Sequence, residues 1–313
     1  MQRQHLVQER PLSPRDYDVP VGWWGWNWEP PVPMSVTELL EAGNFDARTA
    51  ALSWMVLESH GSMLIAAEQP HSGKTTTLTA FLDFLPNDVR RVFIRGWSET
   101  FDYLEQTDPD RTLLLANELS SHLPVYLWGP KAVGVLRSLR QGYALGSTLH
   151  ADSAEEAVRQ LTIELGVARA DLARVDLLAV MRVYATSRGG IARRLVSLHR
   201  AHGLVPLVEW DRARDEHLHH EDAQLQLLCE RARRTADPSR LDLVSSAPSR
   251  PAARSGQAVT SLVDELRLEL ARRTEFLESL VDRGVREIPA ARAALARFRG
   301  EPARTRLRTD QVS

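Results

Sequence analysis

One short run of residues carries the strongest chemical signal in the sequence: Ser72, Gly73, Lys74, Thr75 and Thr76. The run lies between an apolar stretch that predicts a strand and a stretch that predicts a helix. In this setting backbone N–H groups and the helix N-terminus bind phosphate, the lysine bridges two phosphates, and the first threonine hydroxyl ligates Mg²⁺. The run therefore predicts a phosphate-binding loop (P-loop) that takes ATP and Mg²⁺.

Lysine is nearly absent from the rest of the chain. The 39 basic residues are arginines except for Lys74 and Lys131, so composition alone does not account for a lysine in the loop. The alternative interpretation is a chance Ser-Gly-Lys-Thr at a helix start. It draws support from Glu68, which stands where the full loop pattern has glycine. A carboxylate there would repel phosphate unless it points away.

An acidic residue closes a second apolar strand. The strand is predicted over 112–117, and Glu118 follows it. P-loop proteins place an acid at this point to hold Mg²⁺ through water. Many strands end in a carboxylate by chance, so the signal is weak on its own. Together with the P-loop it predicts a magnesium site made by Thr75 and Glu118.

A histidine follows a third strand, predicted over 143–149. His150 stands in the run Ser-Thr-Leu-His-Ala-Asp-Ser-Ala, which ends at Ala154 and leads into an acidic helix. One interpretation is a strand–helix turn that Asp152 or Ser153 caps unaided. That interpretation explains the caps and leaves His150 without a role.

The same run closely resembles the histidine box of the type II and type IV secretion and pilus-assembly ATPases. The resemblance covers about residues 34–210 and 262–300, and the helix 266–284 is similar to the C-terminal helix of archaeal-type members. It implies a RecA-like ATPase in which Glu118 and His150 are catalytic and His150 lies near the γ-phosphate. It also implies partners: other subunits of a secretion or pilus machine at the cytoplasmic membrane face, in a homo- or hetero-oligomer.

The chain departs from the family pattern at the group that activates water. Family members have an Ile-Glu-Asp motif there, whereas this chain has Arg95 and Gly96 in place of the two acids. Glu99 is a weak candidate for the missing base, since it is displaced along the chain. The family's Gly-Glu-x-Arg becomes Asn-Glu-Leu-Ser around Glu118, and part of 120–130 reads as an insertion. The family's N-terminal domain is expected to be missing.

Three functions stay open on the sequence alone. The first is an ATP-binding motor subunit, with hydrolysis an open question. The altered water-activating motif favours the second, a non-catalytic pseudo-ATPase that acts as an interaction subunit. The third, a kinase of small molecules, has no recognisable acceptor site or lid.

Strands that alternate with helices predict a RecA-like α/β domain with a mainly parallel sheet, followed by a small C-terminal helical appendage. We expect further strands over 63–67 and 91–95, a hairpin turn over 187–190 and an edge strand over 205–210. From its N-terminus the chain is predicted to divide into an extended Trp- and Pro-rich tail (1–33), the P-loop domain (34–210), an acidic and His-rich turn with a helix and linker (211–256), a helical module (257–300) and a disordered tail (301–313).

Composition narrows the location and the partners. A net charge of −2 gives no basis for a nucleic-acid partner. A single cysteine fits a reducing compartment, and neither a signal peptide nor a membrane-spanning run is evident. We expect a cytoplasmic protein that reaches the inner membrane only through partners.

Two clusters remain with more than one interpretation. His217, His219 and His220 lie among acids and could bind a metal or lie in a solvated turn. The tryptophans of the run 23–28 could stack on adenine, bind a partner or pack the tail onto the domain.

Overall fold

The computed structural model describes residues 13–20, 23, 33–186, 189–234 and 262–302. The predicted linker, most of both predicted tails, the hairpin tip at 187–188 and the tryptophan run apart from Trp23 lie outside these ranges. The domain boundaries given above therefore stay a prediction.

An eight-stranded sheet forms the centre of the fold. Its strands in chain order are β1 (Met63–Ala66), β2 (Arg90–Phe93), β3 (Thr112–Leu119), β4 (Ala144–Leu149), β5 (Leu177–Ala185), β6 (Ile191–Arg200), β7 (Val205–Asp211) and β8 (Glu216–His219). They lie side by side in the order β2-β3-β4-β1-β5-β6-β7-β8. The first five in this order run parallel and β6 to β8 are antiparallel. The predicted α/β class with a mainly parallel sheet is confirmed.

Helices cover both faces of the sheet. They are α1 (Val36–Glu41), α2 (Ala47–Glu58), α3 (Lys74–Phe81), α4 (Tyr103–Gln106), α5 (Gly129–Ser138), α6 (Ala154–Arg159), α7 (Arg169–Leu172), α8 (Glu221–Arg234), α9 (Leu262–Asp282) and α10 (Ile288–Phe298). Side chains cap the N-termini of α1 and α2. Ser35 and Glu38 form a reciprocal capping box, and the Asp46 carboxylate accepts from the backbone N–H of Thr49 at 2.8 Å.

Strand β1 shows why the sheet needs helices on both sides. Met63 and Ile65 pack into the core layer that contains α2 and α3, whereas Leu64 and Ala66 pack into the layer on the opposite face. All four side chains are buried. A strand covered on both faces reads as a continuous apolar run, as this one does in the sequence.

The antiparallel edge differs from the prediction. Residues 205–210 do form a strand, but the edge strand is β8, which the sequence placed in a solvated turn. β8 pairs with β7 through the register Trp210↔His217 and Val208↔His219. Its four residues carry too few apolar side chains for the alternation of a strand to show.

Trp23 packs against the P-loop helix. Its indole N–H donates to the Thr79 hydroxyl at 2.9 Å, and its ring meets Phe93 edge-on with centroids 5.4 Å apart. With 5% of its surface exposed, this tryptophan serves to hold residues of the N-terminal stretch on the domain.

The C-terminal helices share a core with the P-loop domain. Leu270 and Leu277 of α9 and Leu295 of α10 belong to the same apolar cluster as α2. The Thr37 hydroxyl of α1 donates to the carbonyl of Val285, between α9 and α10, at 2.5 Å. The helical appendage is therefore packed directly on the first two helices of the domain.

A buried cation sits in this contact. The Arg273 guanidinium, 1% exposed, pairs with Glu58 of α2 and with Glu269 at 2.7 Å. It also lies 4.6 Å from the centroid of the Trp54 ring. Replacing one member of a buried ion pair leaves the other charge uncompensated in a medium of low dielectric.

We expect Arg273→Met to lower the free energy of unfolding by about 3–5 kcal/mol, because it strands Glu58 without a cation. Urea unfolding followed by circular dichroism measures the change. The matched control is Arg267→Met on the same helix, where the ion pair with Glu221 is exposed. Because exposed ion pairs contribute little, the urea midpoint of this variant should equal that of the wild type. An unchanged midpoint for Arg273→Met would contradict a stabilising role of this contact.

Candidate active site

The candidate residues meet because β1, β3 and β4 are parallel neighbours in the sheet. The P-loop follows β1, Glu118 is the penultimate residue of β3, and His150 follows β4. All three therefore lie at the carboxyl edge of the sheet, where ligands bind in open α/β folds. The pairing of β3 with β4 shifts register between Ala116 and Leu119. Such a bulge redirects side chains, and it falls on the segment that contains Glu118.

The predicted P-loop, between β1 and α3, has a sharply bent backbone. Gly73, the N-cap of α3, has φ of +90°, and His71 has φ of +55°. The Arg193 side chain of β6 donates from Nε to the His71 carbonyl at 2.8 Å. On the other side, the Gln69 side-chain oxygen accepts from the backbone N–H of Val183 at 2.8 Å. The loop is thus anchored to β5 and β6.

Lys74 is a desolvated cation at the start of α3. It is 7% exposed, and its Nζ donates to the carbonyl of Ala67 at 2.9 Å. Its Nζ also lies 3.7 Å from Oε2 of Glu118. Burial lowers the pKa of Lys74 below its ordinary value, and the charges of Glu118 and Glu68 oppose that shift. A phosphate oxygen would give this ammonium the strong partner that it lacks here.

Glu118 and His150 are in close contact beside that ammonium. His150 Nε2 lies 2.9 Å from Glu118 Oε1, and the neighbouring carboxylate raises the pKa of His150. Burial acts to raise the pKa of Glu118, but His150 and Lys74 outweigh it, so the pKa of Glu118 lies below its ordinary value. The Thr148 hydroxyl donates to the Asn117 carbonyl at 2.9 Å and steadies the same strand end. Glu118 is accordingly held as a carboxylate between the Lys74 ammonium and the His150 imidazole.

The remaining loop residues lie where the sequence predicted. Ser72 is 2% exposed, and Thr75 and Thr76 are half-buried in the first turn of α3. A threonine hydroxyl and a carboxylate are the hard oxygen ligands that Mg²⁺ prefers alongside water and phosphate. Thr75 and Glu118 therefore suit the predicted magnesium site in type.

The turn after β2 contains Glu99, the weak candidate for the base that activates water. Glu99, 2% exposed, accepts from the Tyr17 hydroxyl at 2.7 Å and from the backbone N–H groups of Arg95 at 2.9 Å and Phe101 at 2.7 Å. Its carboxylate is committed to shaping this turn. Gly96 has φ of +57°, and a Cβ there would lie 2.5 Å from the carbonyl oxygen of Pro124. An acidic side chain at position 96 would therefore collide with the backbone.

One residue near the site was missed by sequence reasoning. The His122 ring meets the His150 ring with centroids 5.6 Å apart, in an edge-on arrangement. His122 is exposed and lies in the chain segment between β3 and α5. No local pattern marks it, since only the folding back of that segment brings it to the strand ends.

The two histidines of β8, and His220 directly after it, contact separate protein groups. Nε2 of His217 is 3.0 Å from the Leu195 carbonyl, Nε2 of His219 is 2.7 Å from Asp46, and Nε2 of His220 is 2.7 Å from Glu209. Within the ranges that the structure describes, no three His, Cys, Asp or Glu side chains are placed to hold a metal ion. The metal interpretation of this cluster is wrong, and its histidines fasten the sheet edge to α2 and β6.

Comparison with known proteins yields distant similarities. No family model matches the sequence. An uncharacterized protein of Methanocaldococcus jannaschii is 27% identical over 224 residues, which is 60% of this chain and 38% of that protein. A second from the same organism is 26% identical over 204 residues, 59% of this chain and 73% of that protein. The chain thus spans well under half the length of the first relative.

Two solved structures are similar over part of the chain. The VirB11 ATPase from the Brucella suis type IV secretion system has 20% identity and a TM-score of 0.35, covering 52% of this chain and 54% of its own. The Legionella pneumophila ATPase DotB has 11% identity and a TM-score of 0.38, covering 81% and 63%. Neither likeness assigns a family to this chain. Separately, none of the helices in the described ranges has the length and apolar character to cross a bilayer.

Burial of His217 generates a pH prediction. Burial lowers its pKa below the ordinary value, so the unfolded chain binds a proton more readily than the folded chain does. Below about pH 6.5 the free energy of unfolding should therefore fall as pH falls. Between about pH 7 and pH 5, we expect the free energy of unfolding to fall less in His217→Gln than in the wild type. Urea titrations at each pH measure this free energy. His220→Gln, at an exposed ring, is the matched control, and equal slopes for all three proteins would refute the prediction.

Proposed function

We propose that this chain binds Mg-ATP at the carboxyl edge of its parallel sheet. One observation carries the proposal: the desolvated Lys74 ammonium, at the start of a helix with a bent glycine N-cap, lies 3.7 Å from the acid Glu118 near the end of β3. The pairing of a lysine, a helix N-terminus and a strand-end carboxylate is the donor set of a nucleotide phosphate site.

The binding roles follow from the positions of the side chains. Backbone N–H groups around Gly73 and the positive end of α3 would hold the β-phosphate. Lys74 would exchange its weak contact with Glu118 for phosphate oxygens. Thr75 and Glu118 would hold Mg²⁺, which supplies charge neutralisation for the phosphates. His150 would orient Glu118 and face the terminal phosphate.

Turnover is a separate matter from binding. Hydrolysis needs an acceptor that orients the attacking water. In the family that the sequence resembles this group is a glutamate, and here the aligned residue is Arg95. Glu99 is committed to three hydrogen bonds, and in the proposed complex Glu118 holds Mg²⁺. We therefore propose slow intrinsic hydrolysis by the isolated chain.

The cellular role is proposed from the sequence resemblance. It supports a subunit of a secretion or pilus-assembly motor, acting with other subunits at the cytoplasmic face of the inner membrane. The lack of a free acceptor supports the alternative, a pseudo-ATPase that binds nucleotide and serves as an interaction subunit of such a machine. A measured rate separates the two, because both require binding and only the motor requires turnover.

Removing the P-loop ammonium tests the binding site. Lys74→Ala deletes a charge-assisted contact worth about 1.5–3 kcal/mol, so Mg-ATP should bind at least about tenfold more weakly. Isothermal titration calorimetry measures the dissociation constants. The other lysine provides the control: Lys131→Ala removes a bond to the Trp97 carbonyl and should leave affinity unchanged. Equal affinity for wild type and Lys74→Ala would mean that the loop does not bind nucleotide.

A single substitution tests the missing acceptor. Since Gly96 leaves no room for a side chain, Arg95→Glu alone is the sensible restoration, and Arg95→Gln is its control for loss of the cation. Loss of a general base costs about two to four powers of ten in rate, so Arg95→Glu should raise phosphate release above wild type and Arg95→Gln should not. Motor-like turnover by the purified wild type that Glu118→Gln abolishes would show that the catalytic groups are already present.

A further inference from the structure

The segment between β3 and α5 folds back over the candidate active site. The backbone N–H of Leu127 donates to the Glu118 carbonyl at 2.8 Å, and that of Ser120 donates to the Leu127 carbonyl at 3.1 Å. These two bonds close residues 120–127 into a loop, here called the β3 loop. Because both of its ends are fixed beside Glu118, the loop lies at the edge of the sheet that carries Lys74 and His150.

The β3 loop is also fixed along its outer side. The backbone N–H of Trp97 donates to the Pro124 carbonyl at 2.9 Å, and Gly96 packs so closely on Pro124 that a Cβ would not fit. Within the loop, the His122 N–H donates to the Ser120 hydroxyl at 3.2 Å. The position of His122 therefore follows from three separate attachments of backbone.

Together these attachments present a second imidazole at the site. His122 meets His150 edge-on at 5.6 Å between ring centroids, and His150 Nε2 lies 2.9 Å from Glu118 Oε1. The His122 side chain is exposed. A ring N–H of an exposed imidazole beside His150 is a suitable donor to an oxyanion that approaches Lys74 and Glu118.

We propose that His122 donates a hydrogen bond to the terminal phosphate of bound ATP, so that the β3 loop makes this site distinguish nucleoside triphosphate from diphosphate. The inference rests on the proposed function, since it assumes that Lys74 and the P-loop bind the inner phosphates. In this inference His122 recognises the terminal phosphate. ADP, which lacks the terminal phosphate, does not reach the residue.

The test compares two probes, Mg-ATP and Mg-ADP, by calorimetry on the full chain. His122→Ala should weaken ATP binding by about tenfold, the size of one charge-assisted hydrogen bond, and leave ADP affinity unchanged. His122→Gln keeps an N–H donor on a side chain of similar length. It should therefore recover part of the preference for ATP over ADP. The control is His202→Ala, which replaces another exposed histidine. His202 follows β6, and the end of β6 pairs with the first residue of β5. His202 therefore lies at the opposite edge of the sheet from the site.

The outcomes separate this inference from the proposed function. If the wild type binds both nucleotides and His122→Ala leaves the ATP-to-ADP ratio of affinities unchanged, His122 does not contact the terminal phosphate. If His122→Ala weakens ATP and ADP equally, the loop has only a structural role. If the wild type binds neither nucleotide, the proposed function fails and the inference fails with it. A ratio that falls in His122→Ala alone supports the inference.

Discussion

The buried ammonium of Lys74 is the constraint around which the candidate site is organised. A cation with 7% of its surface exposed must be neutralised or bound by oxygen, because desolvation costs several kcal/mol. The Ala67 carbonyl and the Glu118 carboxylate provide that compensation at 2.9 and 3.7 Å. The 3.7 Å separation from Glu118 is longer than a direct hydrogen bond. In the proposed complex a phosphate oxygen would replace this contact.

The order of the strands in the sheet brings the compensating groups to the Lys74 ammonium. Because β4 lies between β1 and β3, the acid at the end of β3 approaches Lys74 across an intervening strand, and His150 at the end of β4 fills the gap. The bulge in β3 turns the chain at the level of Glu118, and the β3 loop returns to bond its carbonyl. Carboxylate, imidazole and ammonium thus restrain one another, and each depends on the parallel core beneath.

The turn at Arg95 and Gly96 stands where the family that the sequence resembles has its water-activating acids. Its structure depends on packing as well as on these two residue changes. Arg95 replaces an acid, but the turn that contains it is built around Glu99, whose buried carboxylate accepts three hydrogen bonds. The β3 loop rests on the same turn through Gly96 and Pro124. This turn is held by its own hydrogen bonds, in keeping with the proposed slow turnover. The C-terminal helices add stability at a distance, through the buried Arg273 between α9 and α2.

Apolar runs and glycines act over a few neighbouring positions, so the amino-acid sequence alone predicts the α/β class and the mainly parallel sheet. It also singles out Lys74, Glu118 and His150, since each lies at or beyond the end of a recognisable strand. Contacts between residues far apart in the chain are visible only in the folded protein: the hydrogen bonds of Glu99, the exclusion of a side chain at Gly96, the approach of His122 to His150 and the pairing of β8. These depend on which backbone folds against which, and contacts between distant segments leave no periodic trace in the sequence.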